Sequence, residues 1–206
     1  MARETSEEKL IRLTRIETEL WDGGYRVAGM DEVGRGPLAG PVVTCCVAIP
    51  REKLVPGVDD SKKLSEKKRE SLFDELMAAA DKVGFGTKTP AEIDEMNILN
   101  ATKRAMEDAA AEFDGYLFLV DAVNGLRLPG EERALIHGDA LSYMIGAASI
   151  LAKVKRDRYM RELHEKYPQY NFLSNKGYGT AEHIEALKKY GPCPEHRQSF
   201  IKNFVR

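Results

Sequence analysis

The stretch VAGMDEVGRG, Val27 to Gly36, decides how the rest of the chain is read. It leaves an apolar run, Tyr25 to Met30, that predicts a short strand, and enters two adjacent acids and a Gly-Arg-Gly turn. Neighbours in a regular strand face opposite ways, so Asp31 and Glu32 reach one site only if the strand ends there. Gly34 and Gly36 permit that change of direction. Further on, Gly40 to Ile49 predicts a second strand, almost wholly apolar and hence buried on both faces. Tyr116 to Val120 (YLFLV) predicts a central strand that delivers Asp121 at its C-terminal edge, and Asp139 follows a short strand near Ala134 to Ile136 across Gly138.

Between the strands the periodicity turns helical. Residues 6–21 place Leu10, Leu13, Ile16, Glu17 and Leu20 at three- and four-residue steps, and Gly23-Gly24 ends that helix. Ser65 caps a helix carrying Leu72, Phe73, Leu76, Met77 and Ala80. A strand over Lys82 to Lys88, a helix over Met96 to Phe113 and a long helix over Ala140 to Glu165 follow. The long helix is apolar in its first half and basic in its second. The remainder predicts loops around one helix at Ala181 to Tyr190. The expected organisation is an α/β core over residues 1–165, including the N-terminal helix, and a small helical extension over 166–206.

Composition removes several classes of function. The chain has 206 residues, 43% hydrophobic and 31% charged. Its longest apolar runs fall far short of the ~20 residues that span a bilayer. The opening MARETSEEKL has neither the apolar core of a secretory signal nor the acid-poor character of a transit peptide. The three cysteines form no disulfide framework and no zinc spacing, so a reducing cytoplasm is the expected location. The net charge of −2 hides an asymmetry: Ser149 to Arg206 carries 12 Lys/Arg against 6 Asp/Glu. Such a balance suits a polyanionic partner, and solvated helix faces give the same count.

Carboxylates at three strand ends would crowd like charges together, which costs free energy unless a divalent cation neutralises them or one takes up a proton. Oxygen-only ligands favour Mg²⁺ or Mn²⁺ over zinc, and such a cluster suits phosphoryl transfer. Taken singly, each acid has an ordinary reading as a turn former or helix cap, and for Asp139 alone capping is the simpler one. Gly34-Arg35-Gly36 could offer backbone N–H groups to a phosphate, but it lacks the spacing of a dinucleotide fingerprint or a P-loop. Ser149 and Lys153 lie four apart on one helix face, a conceivable nucleophilic pair. Tyr178, between Gly177 and Gly179, could stack on a sugar or base. His137 and His196 read as surface or capping residues, and Cys45-Cys46 as core.

These segments together resemble a bacterial ribonuclease HII, a type 2 ribonuclease H. The resemblance lies in AGMDEVGRGPLAGPVV (28–43), DDSKKLSEKKR (59–69), EIDEMNILNATKRAM (92–106), the strand into Asp121, GDALSYMIGAASILAKVKRDRYM (138–160), NKGYGTAEH (175–183) and GPCPEHRQSF (191–200). It implies a ribonuclease H-like α/β fold: a mixed five-stranded sheet flanked by helices, with a small C-terminal helical extension. It implies that Asp31, Glu32, Asp121 and Asp139 are catalytic and hold Mn²⁺ or Mg²⁺. By the same likeness Gly34, Arg35 and Gly36 hold the backbone at the ribonucleotide, and Tyr178 packs against the sugar at the DNA junction. Lys62, Ser149, Lys153 and Arg156 become phosphate contacts or supports of the site. The implied substrates are RNA–DNA hybrid and ribonucleotide-containing duplex DNA, cut by a monomer. The chain departs from the family where Ala122 follows Asp121 in place of the usual Gly, where His137 replaces a common Lys, and where Asn175 replaces a common His.

Overall fold

A computed structural model describes residues 4–205. In chain order the elements are α1 (Ser6–Leu13), α2 (Arg15–Asp22), β1 (Arg26–Val33), β2 (Val42–Ala48), α3 (Glu66–Ala79), β3 (Lys82–Lys88), α4 (Pro90–Met96), α5 (Ile98–Ala110), β4 (Tyr116–Asp121) and β5 (Glu132–Leu135). Then come α6 (Gly138–Leu141), α7 (Tyr143–Lys166), α8 (Phe172–Asn175), α9 (Ala181–Tyr190) and α10 (Gln198–Ile201). The five strands form one mixed sheet in the order β3-β2-β1-β4-β5, with β1 antiparallel to β2 and parallel to β4. The fold class implied by the resemblance is the one observed.

The middle of β1 and nearly all of β2 and β4 are buried because helices cover both faces of the sheet. On one face Val27, Cys45, Val47, Leu117 and Leu119 pack with the apolar half of α7 and with Leu72 and Leu76 of α3. On the other, Ala28, Met30, Cys46, Phe118 and Val120 pack with Met106, Ala109 and Ala110 of α5. β1 lies so near α7 that a Cβ built on Gly29 would sit 2.3 Å from the Met144 carbonyl carbon. Among the described residues no helix is long and apolar enough to cross a membrane, and all three cysteines are buried and free.

Helix boundaries differ from the sequence reading in three places, each with a local cause. The helix expected over residues 6–21 breaks at Thr14, whose hydroxyl turns back onto the Leu10 carbonyl. The helix expected over Met96 to Phe113 begins at Ile98, because Asn97 takes a φ of 68° and caps it through its side chain, and a separate helix, α4, precedes it. The helix expected from Ala140 restarts at Ser142, which caps α7 by accepting from Ile145 N–H. Glu17, first read as one position of an amphipathic face, is fully buried. It accepts from Ser142 Oγ at 2.5 Å and Met144 N–H at 2.9 Å, so an N-terminal carboxylate closes the start of α7.

Residues 168–205 share a core with the end of α7. Met160 and Leu163 meet Tyr170, Phe172, Leu187, Cys193 and Ile201, and Leu38 and Ala39 from the loop after β1 join the same cluster. That contact brings the C-terminal residues up to the acidic end of the sheet.

Candidate active site

The carboxylates gather at the C-terminal ends of the two parallel central strands. β1 pairs with β4 only as far as Met30↔Val120, whereas it stays paired with β2 out to Val33↔Val43. Asp31 and Glu32 are therefore within a strand, not beyond its end as the sequence reading required. Neither is paired to β4, whose pairing with β1 ends at Val120. Asp31 shares its face with Val27 and looks toward α7, and Asp121 shares that face with Leu117 and Leu119. Asp139 reaches the same place from the first turn of α6.

Asp139 is not the helix cap that its position suggested. His137, in the left-handed region at φ 58°, occupies the N-cap, and the Asp139 carboxylate stands 3.9 Å from Lys62 Nζ. Gly138 N–H donates to Asp121 Oδ1 at 2.8 Å, tying β4 to α6. Ala122 holds a φ of 49°, a conformation that favours glycine, so the departure from Gly here keeps a glycine-like turn at a cost of ~1 kcal/mol.

Electrostatics records the crowding. Burial pushes Asp31 well above the usual carboxylate range, the Glu32 charge pushes further, and the Ser149 hydroxyl opposes both. Burial also raises Glu32, against the pull of Arg35, whose Nη1 lies 3.3 Å from its Oε1; the Asp121 charge adds to the rise. Asp121 is raised by burial and by Asp139, with the Gly138 N–H acting against them. Each acid thus has a separate neighbour: Ser149 for Asp31, Arg35 for Glu32, Gly138 N–H for Asp121, Lys62 for Asp139. Among the described residues no three Asp, Glu, His or Cys side chains stand close enough to enclose an ion as they are. The donor set still fits a hard divalent cation. It consists of oxygens alone, it repels itself, and Glu32 Oε2 is buried with no hydrogen-bond partner.

The Gly34–Gly36 turn and the Tyr178 loop form one wall beside these acids. A Cβ on Gly36 would lie 3.6 Å from Tyr178 Cε1, and Leu38 N–H donates to Gly177 O at 2.8 Å. Tyr178 is 46% exposed. Asn175, where the family commonly has His, is buried and braces the loop by donating to Tyr170 O and accepting from Gly177 N–H.

Other expected contacts sit elsewhere. Arg156 is fully buried and spends its guanidinium on the Pro41, Lys176 and Ala39 carbonyls, so it supports the site and has no donor turned toward a phosphate. Ser149 meets Ser61 Oγ at 2.8 Å and Lys153 pairs with Asp157 at 2.6 Å, so no Ser–Lys nucleophilic pair exists. Lys62 remains exposed at the rim. His196 is buried, not superficial: its Nε2 lies 2.9 Å from His183 Nε2, and His183 Nδ1 lies 2.8 Å from Tyr178 O. A carbonyl can only accept, so Nδ1 of His183 carries its proton and Nε2 of His196 donates. That leaves His196 Nδ1 as the acceptor for Cys193 N–H at 3.0 Å. Arg197, which the sequence reading passed over, is also fully buried against the Gly34–Gly40 segment. Only its place in a Pro- and Gly-rich loop hinted at a fixed role.

Residues 28–203 match the family model described as Ribonuclease HII. A ribonuclease HII of Caldanaerobacter subterraneus subsp. tengcongensis is 51% identical over 193 residues, covering 92% of this chain and 80% of that protein. One of Acetivibrio thermocellus is 48% identical over 200 residues, covering 96% and 78%. Among solved structures, the ribonuclease H2 of Pyrococcus horikoshii OT3 superposes with a TM-score of 0.71 at 31% identity over 84% of this chain and 92% of that one. Bst-RNase HIII in complex with Mn²⁺ has the same fold at 17% identity, with a TM-score of 0.63 over 87% of this chain and 63% of that one.

Proposed function

Since the chain belongs to the ribonuclease HII family, and is a phosphodiester-hydrolysing endonuclease of the ribonuclease H type, we propose that it cuts the RNA strand of RNA–DNA hybrids and duplex DNA on the 5′ side of a single embedded ribonucleotide. The products carry a 3′-hydroxyl and a 5′-phosphate. One observation carries this reading. Asp31, Glu32, Asp121 and Asp139, from three segments, act on one another electrostatically beside the Gly34–Gly36 turn and the Tyr178 ring.

Asp31, Glu32, Asp121 and Asp139 would hold Mg²⁺ or Mn²⁺, and such an ion, when bound, makes water a stronger nucleophile and neutralises charge on the phosphate in the transition state. The chain supplies the rest. Backbone N–H groups of Gly34–Gly36 hydrogen-bond the 2′-hydroxyl that separates RNA from DNA. Tyr178 packs its exposed ring on the adjoining sugar, and Gly36 leaves room for it. Lys62 at the rim contacts a backbone phosphate, a contribution that weakens with salt. Ser149 and Lys153 keep Asp31 and the long helix in place. The enzyme acts as a monomer in the cytoplasm.

The test offers a DNA duplex bearing one ribonucleotide, the same duplex in all-DNA form, and a continuous RNA–DNA hybrid, each with Mg²⁺, Mn²⁺ or EDTA. Cutting 5′ of the ribonucleotide is expected with metal only. Equal cutting of the all-DNA duplex, or turnover in EDTA, overturns the reading. Tyr178→Ala, tried on the same substrates, should lower cleavage at the single ribonucleotide by about 10- to 100-fold, the loss of one stacking contact. Because the ring is exposed, the melting temperature should hardly move. Parallel losses of stability and activity would make Tyr178 a packing residue.

A further inference from the structure

We propose that Arg197, together with Arg156, is a positioning residue that aims the N–H groups of Arg35 and Gly36 at the ribonucleotide. This rests on the reading of Gly34–Gly36 given above and adds what makes that turn selective.

Arg197 donates from Nη2 to Gly34 O, from Nη1 to Arg35 O at 2.9 Å, and from Nε to Gly40 O at 3.0 Å. Arg156 approaches the same segment from α7 and takes Pro41 O at 2.9 Å and Ala39 O at 3.1 Å. Arg197 N–H takes Leu38 O. The carbonyls of the segment are thus drawn toward two guanidinium groups in the interior. In a trans peptide the C=O of one residue and the N–H of the next point in opposite directions, and no cis bond occurs among the described residues. Holding Gly34 O and Arg35 O inward therefore turns the N–H groups of Arg35 and Gly36 outward. Among the described residues those two N–H groups donate to no protein atom, so they are left for a ligand.

Stability alone does not account for the arrangement. Both arginines are fully buried, and neither has a carboxylate within 4 Å among the described residues. Two like charges in the interior with no carboxylate paired directly to them cost free energy that an apolar side chain would avoid. Their forked geometry is what the site uses, since one planar guanidinium spans three carbonyls and an ammonium does not. Arg197 also lies in the C-terminal extension, beside a bridge between Ala39 and His196. The extension thereby sets the shape of a turn more than 150 residues away in sequence.

The test is a binding comparison in EDTA, where no cutting interferes, between the single-ribonucleotide duplex and its all-DNA counterpart. Wild type should prefer the ribonucleotide duplex. Arg197→Lys keeps the charge and should reduce that preference by about tenfold, the equivalent of one or two hydrogen bonds, while affinity for the all-DNA duplex stays the same. Arg156→Lys is read in the same way and carries the test if the first variant does not fold. Leu76→Ala, a core change far from the turn, should lower the melting temperature and leave the preference intact. A folded lysine variant that keeps the full preference overturns the proposal. If wild type itself shows none, the reading of the turn has failed instead.

Discussion

Asp31→Asn is expected to lower cleavage by at least about 1,000-fold in Mg²⁺ or Mn²⁺ while leaving affinity for an RNA–DNA hybrid within a few-fold of wild type, because an amide ligates a hard cation poorly and the phosphate and sugar contacts lie elsewhere. The same change should stabilise the metal-free protein. Asp31 is held well above its ordinary range by burial and by the Glu32 charge, so at pH 8 the folded state resists an ionisation that the unfolded state accepts freely. The sign follows from proton binding. A raised carboxyl makes the folded state the better proton binder, so stability falls as pH rises above about 4, the unfolded value. Asparagine removes that loss. The melting-temperature gain of Asp31→Asn over wild type in EDTA should therefore be clear at pH 8 and vanish near pH 4. A gain that is independent of pH would mean that Asp31 is not under electrostatic strain, and retained turnover would remove it from the chemistry.

The second large effect is structural. Gly29→Ala should destabilise the protein by more than about 4 kcal/mol, or prevent it from folding, although the change adds one methyl group. That methyl would lie 2.3 Å from Met144 C, 2.5 Å from Ile145 N and 2.5 Å from Met144 Cβ. Two of these atoms belong to the α7 backbone, which has no rotamer to change. The helix would have to lift off β1, and Ser149 would move away from Asp31 with it. Calorimetry on the variant decides the matter. A melting temperature within about 3 °C of wild type would show that α7 can stand off the strand at little cost.

Both predictions concern the junction of β1 and α7, where the sequence reading picked out Asp31 and Glu32 but assumed a different local geometry. It located Asp31 and Glu32 by assuming that the strand ended there. In fact the strand continues to Val33, and the neighbouring strand β4 is the one that stops. Pairing between strands some 90 residues apart leaves no mark on the local pattern, so the two situations look identical in one dimension. The helix breaks at Thr14, Asn97 and Ser142 were missed for a related reason. Each is a single side chain that bonds to backbone without interrupting the apolar period.

The buried polar residues show the same limit. Arg156 and Lys153 belong to a run of basic residues that reads as a surface for nucleic acid, yet Arg156 is fully buried and Lys153 is tied to Asp157. His196 looked superficial for the same reason, since a titratable side chain in a loop is usually solvated, and Glu17 stood on an apolar helix face with no partner to explain it. Only the packing of the N-terminal helices on α7, and of the C-terminal loops on the segment after β1, encloses them.

What the sequence wrote by itself is therefore the alphabet of the candidate site: apolar strands flanked by glycine, four acids in a fixed order, an oxygen-only donor set, a glycine turn and a tyrosine between two loop glycines. These are local properties, written in adjacent residues and short periods. Which acids share a face, which cations serve as braces, and which amides are left free to meet a ligand were decided by tertiary structure alone. The physical reason is that burial and hydrogen-bond satisfaction are pairwise over long separations. The carbonyls of Gly34 and Arg35 acquire a partner only when Arg197 is folded against them.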